Sequence, residues 1–139
     1  MANNTIPIHV LRHRLSWAVA SVNTGNTTTD LTSGTSYDIF TANAVNDSFV
    51  REITFRPLGS NAVTVARIWI NNGLTSATAA NNTLLTEITL PATTVSQVAA
   101  LLDTTVCLNM GLPAGYRIYV TLGTTVASGF DVTVKGGDY

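Results

Sequence analysis

From Leu112 to Tyr139 apolar and polar residues alternate almost without interruption. Tyr116, Ile118, Val120 and Leu122 fall on one side of the period, with Arg117, Tyr119 and Thr121 on the other. Phe130, Val132 and Val134 then alternate with Asp131, Thr133 and Lys135. A period of two sends successive side chains to opposite faces of an extended strand, so each run has one face on a core and one on water or a partner. The pattern recurs upstream. Residues 15–22 predict a first strand, 36–41 a second with Tyr37 and Ile39 inward, 49–58 a third and 63–70 a fourth. Residues 83–90, 104–110, 116–122 and 129–135 supply the fifth to the eighth. Gly25-Asn26, Gly59-Ser60-Asn61, Asn71-Asn72-Gly73 and Pro91 punctuate the runs as turn residues do. The short gap from Leu58 to Val63 predicts a hairpin of strands three and four.

Two segments depart from this rhythm. Residues 1–14 hold a proline, both histidines and two arginines without a clear period, which predicts an extended arm preceding a sandwich domain over 15–139. Ile6, Ile8, Val10 and Leu11 are too apolar for a solvated tail, so the arm is expected to dock on a neighbouring surface. Val95, Val98, Ala99 and Leu102 fall at helical spacing, and Thr94 with Gln97 three residues later has the form of a capping box. One short helix is therefore expected between strands five and six. Eight short strands with almost no helix predict an all-β fold, an antiparallel β-sandwich. A jelly roll is the first choice and an immunoglobulin-like sandwich the second.

Composition sharpens the picture. The 139 residues suit one domain. Charged residues make up only 11%, against about 25% in ordinary soluble domains. Such a deficit reads as surface intended for burial against other subunits, or as a Thr- and Asn-rich surface that is polar without charge. The formal net charge of −1 favours neither nucleic acid nor an acidic membrane, and neither is expected as a partner. Six of the seven basic residues are arginine, the side chain that best tolerates interfaces. Cys107, the single cysteine, offers neither a disulfide nor a zinc cluster and reads as an inert strand residue. No apolar run has the length of a membrane helix. Leu15 to Val22 superficially resembles a signal-peptide core but is short and alternates, so it reads as a strand of an unexported chain.

The chain offers little catalytic equipment. His9 and His13 stand in the expected arm, lack the glutamate of a zinc-binding helix motif, and are flanked by Arg12 and Arg14, which would repel a cation. The eight carboxylates are scattered, and Lys135-Gly136-Gly137-Asp138 has no helix after it to form a phosphate cradle. The Asn-x-Ser/Thr triplets at Asn3, Asn26, Asn46 and Asn81 arise readily in so Asn- and Thr-rich a chain. No catalytic, cofactor-binding or metal-binding residue is singled out, and a non-enzymatic role is expected. What remains is the outward strand face. With Ala66, Ile68 and Ile70 inward, Arg67 and Trp69 point out, as do Arg56, Arg117 and Tyr119 on their own strands. Arg, Trp and Tyr are the residues enriched at interface hot spots. Trp69 and Tyr119 could instead form a sugar-stacking platform, or Trp69 could belong to the core if the register is inverted.

The stretch from Ile53 through Arg56-Pro57-Leu58-Gly59 and Arg67-Ile68-Trp69-Ile70 to Gly73, together with Leu112-Pro113-Ala114-Gly115 through Phe130 to Tyr139, resembles small structural proteins of tailed-bacteriophage virions. Among these the chain is most similar to head decoration, or cement, proteins of β-sandwich type. The similarity covers roughly the latter two-thirds of the sequence and rests on strand-like stretches. That resemblance implies a homotrimer on the outer surface of the capsid, made in the host bacterial cytoplasm, clamping major capsid protein subunits together. It also implies a capsid-binding arm, here Ile6, Ile8, His9, Arg12, His13 and Arg14. A receptor- or glycan-binding module of a tail or fibre is the alternative.

Overall fold

The computed structural model describes residues 12–139. Eight strands follow one another: β1 (Arg12–Trp17), β2 (Tyr37–Thr41), β3 (Ser48–Pro57), β4 (Thr64–Asn71), β5 (Asn82–Leu90), β6 (Thr104–Leu112), β7 (Arg117–Leu122) and β8 (Phe130–Asp138). They form two four-stranded antiparallel sheets, ordered β1-β8-β3-β6 and β2-β7-β4-β5. The pairs β1–β8, β2–β7, β3–β6 and β4–β5 nest inside one another, as though the chain were one long hairpin folded at the β4–β5 turn. Rolling that hairpin brings β8 beside β3 and β7 beside β4. This is jelly-roll topology, the first choice from the sequence.

The core lies between the sheets. Val50, Ile53 and Phe55 of β3 and Val132 and Val134 of β8 face Ala66 and Ile68 of β4 and Ile118, Val120 and Leu122 of β7, all buried. Val50 and Ile53 are three residues apart, which breaks the period of two. A bulge between Val50 and Glu52 absorbs the extra residue, leaving Arg51 outside. A second bulge, between Asp38 and Phe40, turns both Ile39 and Phe40 into the interior, where the sequence pattern placed Tyr37 and Ile39.

Three expectations are corrected. First, β1 begins at Arg12, so Arg12, His13 and Arg14 belong to the sheet, paired with Asp138, Gly137 and Gly136. The Arg14 guanidinium is satisfied there. It donates to the Thr41 carbonyl at 2.9 Å and to Asp138 Oδ1 at 3.1 Å, and lies 4.5 Å from the centroid of the Phe40 ring. Ile6, Ile8 and His9 lie outside the described residues.

Second, β3 and β4 do not form a hairpin. They belong to different sheets, and residues 58–63 cross between them. Asn61 locks this crossing from a buried position. Its Nδ2 donates to the Gly129 carbonyl at 3.0 Å, and its Oδ1 accepts from the Ser128 and Gly129 amides, both at 2.9 Å. Its backbone exchanges hydrogen bonds with Thr93. Asn61→Ala would leave the Ser128 and Gly129 amides without their acceptor, while the Gly129 carbonyl keeps the Leu58 amide. The substitution is expected to lower folding stability by about 3 kcal/mol, visible as a lower denaturant midpoint with an unchanged slope.

Third, residues 94–102 form no helix. The only helical turn among the described residues is the 3-10 turn Ala79–Asn81.

Candidate functional site

Arg67, Trp69, Arg117 and Tyr119 share one face, because β4 and β7 are neighbours in the second sheet. In the β4–β7 pairing Arg67 stands opposite Thr121, Trp69 opposite Tyr119, and Asn71 opposite Arg117, all on the face of the second sheet that points away from the core. Asp38 joins them from β2 and Glu87 from β5. Trp69 accordingly lies outside the sandwich core cluster.

It is nonetheless only 2% exposed, because the chain covers this face with its own β1–β2 loop. The loop is tied down on either side of Trp69. Arg67 Nη1 donates to the Asn26 carbonyl at 3.3 Å, and Asn82 Nδ2, beside Asn71, donates to the Asp30 carbonyl at 3.0 Å. Buried Asn26 braces the loop from within. Its Nδ2 donates to the Ser33 and Thr35 carbonyls, while its Oδ1 accepts from the amide and hydroxyl of Thr28. Leu31, also buried and also outside the core cluster, sits in the loop with a φ of 65°. Trp69 Nε1 donates to Thr121 Oγ1 at 3.0 Å, so its one polar atom is satisfied within the chain. The expectation that Trp69 offers its ring to a partner is therefore corrected, and so is the sugar platform built on Trp69 and Tyr119.

The arginines expected at an interface are engaged internally. Arg67 Nε holds Glu87 at 2.7 Å, and exposed Arg56 holds Asp103 at 2.9 Å. Arg117 lies 3.8 Å from Asp38 and donates to the Tyr119 hydroxyl at 3.4 Å. Burial pushes the Asp38 carboxyl above its ordinary range despite the neighbouring Arg117 charge.

Other surfaces are more open. Among the described residues twelve large apolar side chains are exposed. Leu15 and Trp17, each 60% exposed, occupy β1, an edge strand of the first sheet. Beside them a shallow pocket of about 500 Å³ is lined by His13, Leu15, Phe49, Arg51 and Lys135 over Gly136. His13 and Phe49 stand on either side of Gly137 in the β1–β8–β3 register. Leu58, Val63, Val95, Val98 and Leu102 are exposed at the end of the sandwich where the β3–β4 and β5–β6 loops meet. Nothing in the strand periodicity pointed to Trp17 or to these loop residues as surface groups. Their exposure depends on which elements fail to cover them.

Among the described residues no group of three or more His, Cys, Asp or Glu side chains is placed to hold a metal ion, and no helix is long and apolar enough to cross a membrane. Cys107 lies exposed on β6.

No protein-family model matches the chain, and no curated protein matches it. Among solved structures it is similar to a chain of the T13 particle of infectious bursal disease virus, at 13% identity and a TM-score of 0.37, covering 99% of this chain and 35% of the viral one. It is similar too to a chain of the Gt strain of that virus, at 13% identity and a TM-score of 0.34, covering 99% of this chain and 36% of the other. The chain thus spans about a third of the length of these viral chains. The jelly-roll assignment stands on the strand order of the two sheets.

Proposed function

We propose that this chain is a non-enzymatic virion structural protein that binds the outside of a tailed-bacteriophage capsid as a homotrimer and stabilises the shell. The observation that carries this reading is a jelly roll with 11% charged residues that leaves twelve large apolar side chains exposed on a single copy. Two groups of them, Leu15 with Trp17 on the β1 edge and Leu58, Val63, Val95, Val98 and Leu102 at one end of the sandwich, are candidates for association, since apolar patches mark such sites. Many copies bridging major capsid protein subunits would hold firmly through modest individual contacts, because linked sites raise one another's effective concentration. Leu15 and Trp17 on the edge of the first sheet take the place of Trp69 as the aromatic and aliphatic anchors. The segment preceding β1, with Ile6, Ile8 and His9, would add a second attachment beside them.

Electron cryo-microscopy of purified particles tests the reading. Density for the sandwich on the outer shell, three copies around an axis, is expected, and a position at the tail tip would favour the receptor-binding alternative instead. Removing residues 1–11 should leave the thermal midpoint nearly unchanged and abolish binding to undecorated heads. A truncated chain that still binds would overturn the role of that segment.

A further inference from the structure

Residues 91–103 join β5 to β6 without regular structure and carry no charge before Asp103. Uninterrupted connections of this length are uncommon in compact domains and are usually functional. Both ends are fixed to the body. Thr93 exchanges backbone hydrogen bonds with Asn61, the Val95 amide donates to Ser60 Oγ at 3.0 Å, and Asp103 is held by Arg56. Between these anchors Leu101 is half-buried, but Val95 is 50% exposed, Val98 96% and Leu102 82%.

The same residues carry the helical spacing noted in the sequence, with Thr94 and Gln97 placed as a capping box. Two turns of helix are too short to persist alone, since nucleation is unfavourable and protein helices draw their stability from a covered apolar face. Among the described residues nothing supplies such cover, and the periodicity goes unused. An apolar stripe at this spacing is the form that docks into an apolar surface and folds as it does so.

We propose that residues 94–102 are the self-association element of this protein, folding into a short helix when packed against the same end of a second copy. The occupant follows from what that end contains. The segment has no charge up to Leu102, so its cover must be uncharged and apolar, and Leu58 and Val63 lie exposed on the adjoining β3–β4 loop. Each copy therefore brings both the stripe and a surface to receive it, as a symmetric assembly requires. Fifteen of the nineteen residues in 58–63 and 91–103 are exposed, so most of this end is open to a second copy. This deepens the proposed function, resting on its homo-oligomer and naming the contact that builds it.

Sedimentation and far-ultraviolet circular dichroism of the purified full chain across a concentration series test the proposal. Helical signal is expected to rise as monomers associate. Val98→Asp combined with Leu102→Asp alters only exposed positions. It should weaken association by about a hundredfold or more, a tenfold change for each buried aliphatic group lost, while cooperative unfolding is retained. Ala99→Pro, which forbids the helix and leaves an irregular loop free to form, should have the same effect. A wild-type chain that stays monomeric at high micromolar concentration would overturn the self-contact. Oligomers that survive all three substitutions would overturn this contact while leaving the homo-oligomer itself intact. Binding of the aspartate variant to undecorated heads reads the capsid role separately: loss of binding by a variant that remains oligomeric assigns the segment to the capsid and overturns the inference.

Discussion

Trp69→Ala is expected to lower folding stability by about 3–5 kcal/mol, the usual cost of truncating a buried large aromatic side chain. The ring is 2% exposed beneath the β1–β2 loop, and its removal opens a void between that loop and the outer face of the second sheet. Thr121 Oγ1 would also lose its donor. Trp69→Phe keeps most of the apolar volume and loses the hydrogen bond, so about 1–2 kcal/mol is expected. Chemical denaturation of both variants at equal protein concentration checks the pair. A Trp69→Ala chain of wild-type stability that merely dissociates would return this residue to a subunit interface.

The second large effect is expected at Asp138. Its Oδ1 accepts from Ser48 Oγ at 2.6 Å and from Arg14 Nη1 at 3.1 Å, joining β8 to its two neighbours, β3 and β1. Burial opposes the charge, but the hydrogen bonds from Ser48 and Arg14 and the Arg14 charge outweigh it, and the carboxyl is held below its ordinary value of 3.8. A carboxyl with a depressed folded-state pKa contributes stability that is fully present above its unfolded value and is lost as the pH falls through the folded one. Asp138→Ala should therefore cost about 3 kcal/mol at neutral pH, within the range for breaking a largely buried pair. The difference from wild type should shrink as the pH drops below 3.8. Asp138→Asn, which keeps the shape and removes the charge, should show the same flattened acid limb. An unaltered acid limb in both variants would show that Asp138 does not titrate with folding.

What the sequence made legible and what it concealed divide along the range of the interactions involved. Period-two alternation is local, and it placed all eight strands, most within a residue or two of their observed bounds. It also placed Trp69 on the correct side of β4. It could not show that residues 26–31, far away along the chain, fold over that side and bury the ring. The start of β1 was hidden for the same reason, since Arg14 looks too polar for a strand until Asp138, at the far end of the chain, is brought beside it. Bulges concealed the inward pairs Val50 with Ile53 and Ile39 with Phe40, because one inserted residue inverts the alternation. The crossing at residues 58–63 looked like a hairpin because a short turn-rich gap serves either purpose. What decides between them is the buried side chain of Asn61 and its bonds to the β7–β8 loop. In residues 94–102 helical spacing did not produce a helix, because Val95, Val98 and Leu102 face water and spacing alone does not stabilise so short a segment.

The nesting of the strands also governs when this chain can fold. In the first sheet β8 lies between β1 and β3, and among the described residues β1 has no other strand beside it. A ribosome making the chain releases β1 first and the nine residues of β8 last of all the strands. Until then the earliest strand has no partner, and its Leu15 and Trp17 remain available to other chains. Pairings between such distant segments close large loops and are slow to form, which prolongs that exposure. The domain is thus committed to its fold only at the end of its synthesis, and the edge carrying its exposed tryptophan is the last to be completed.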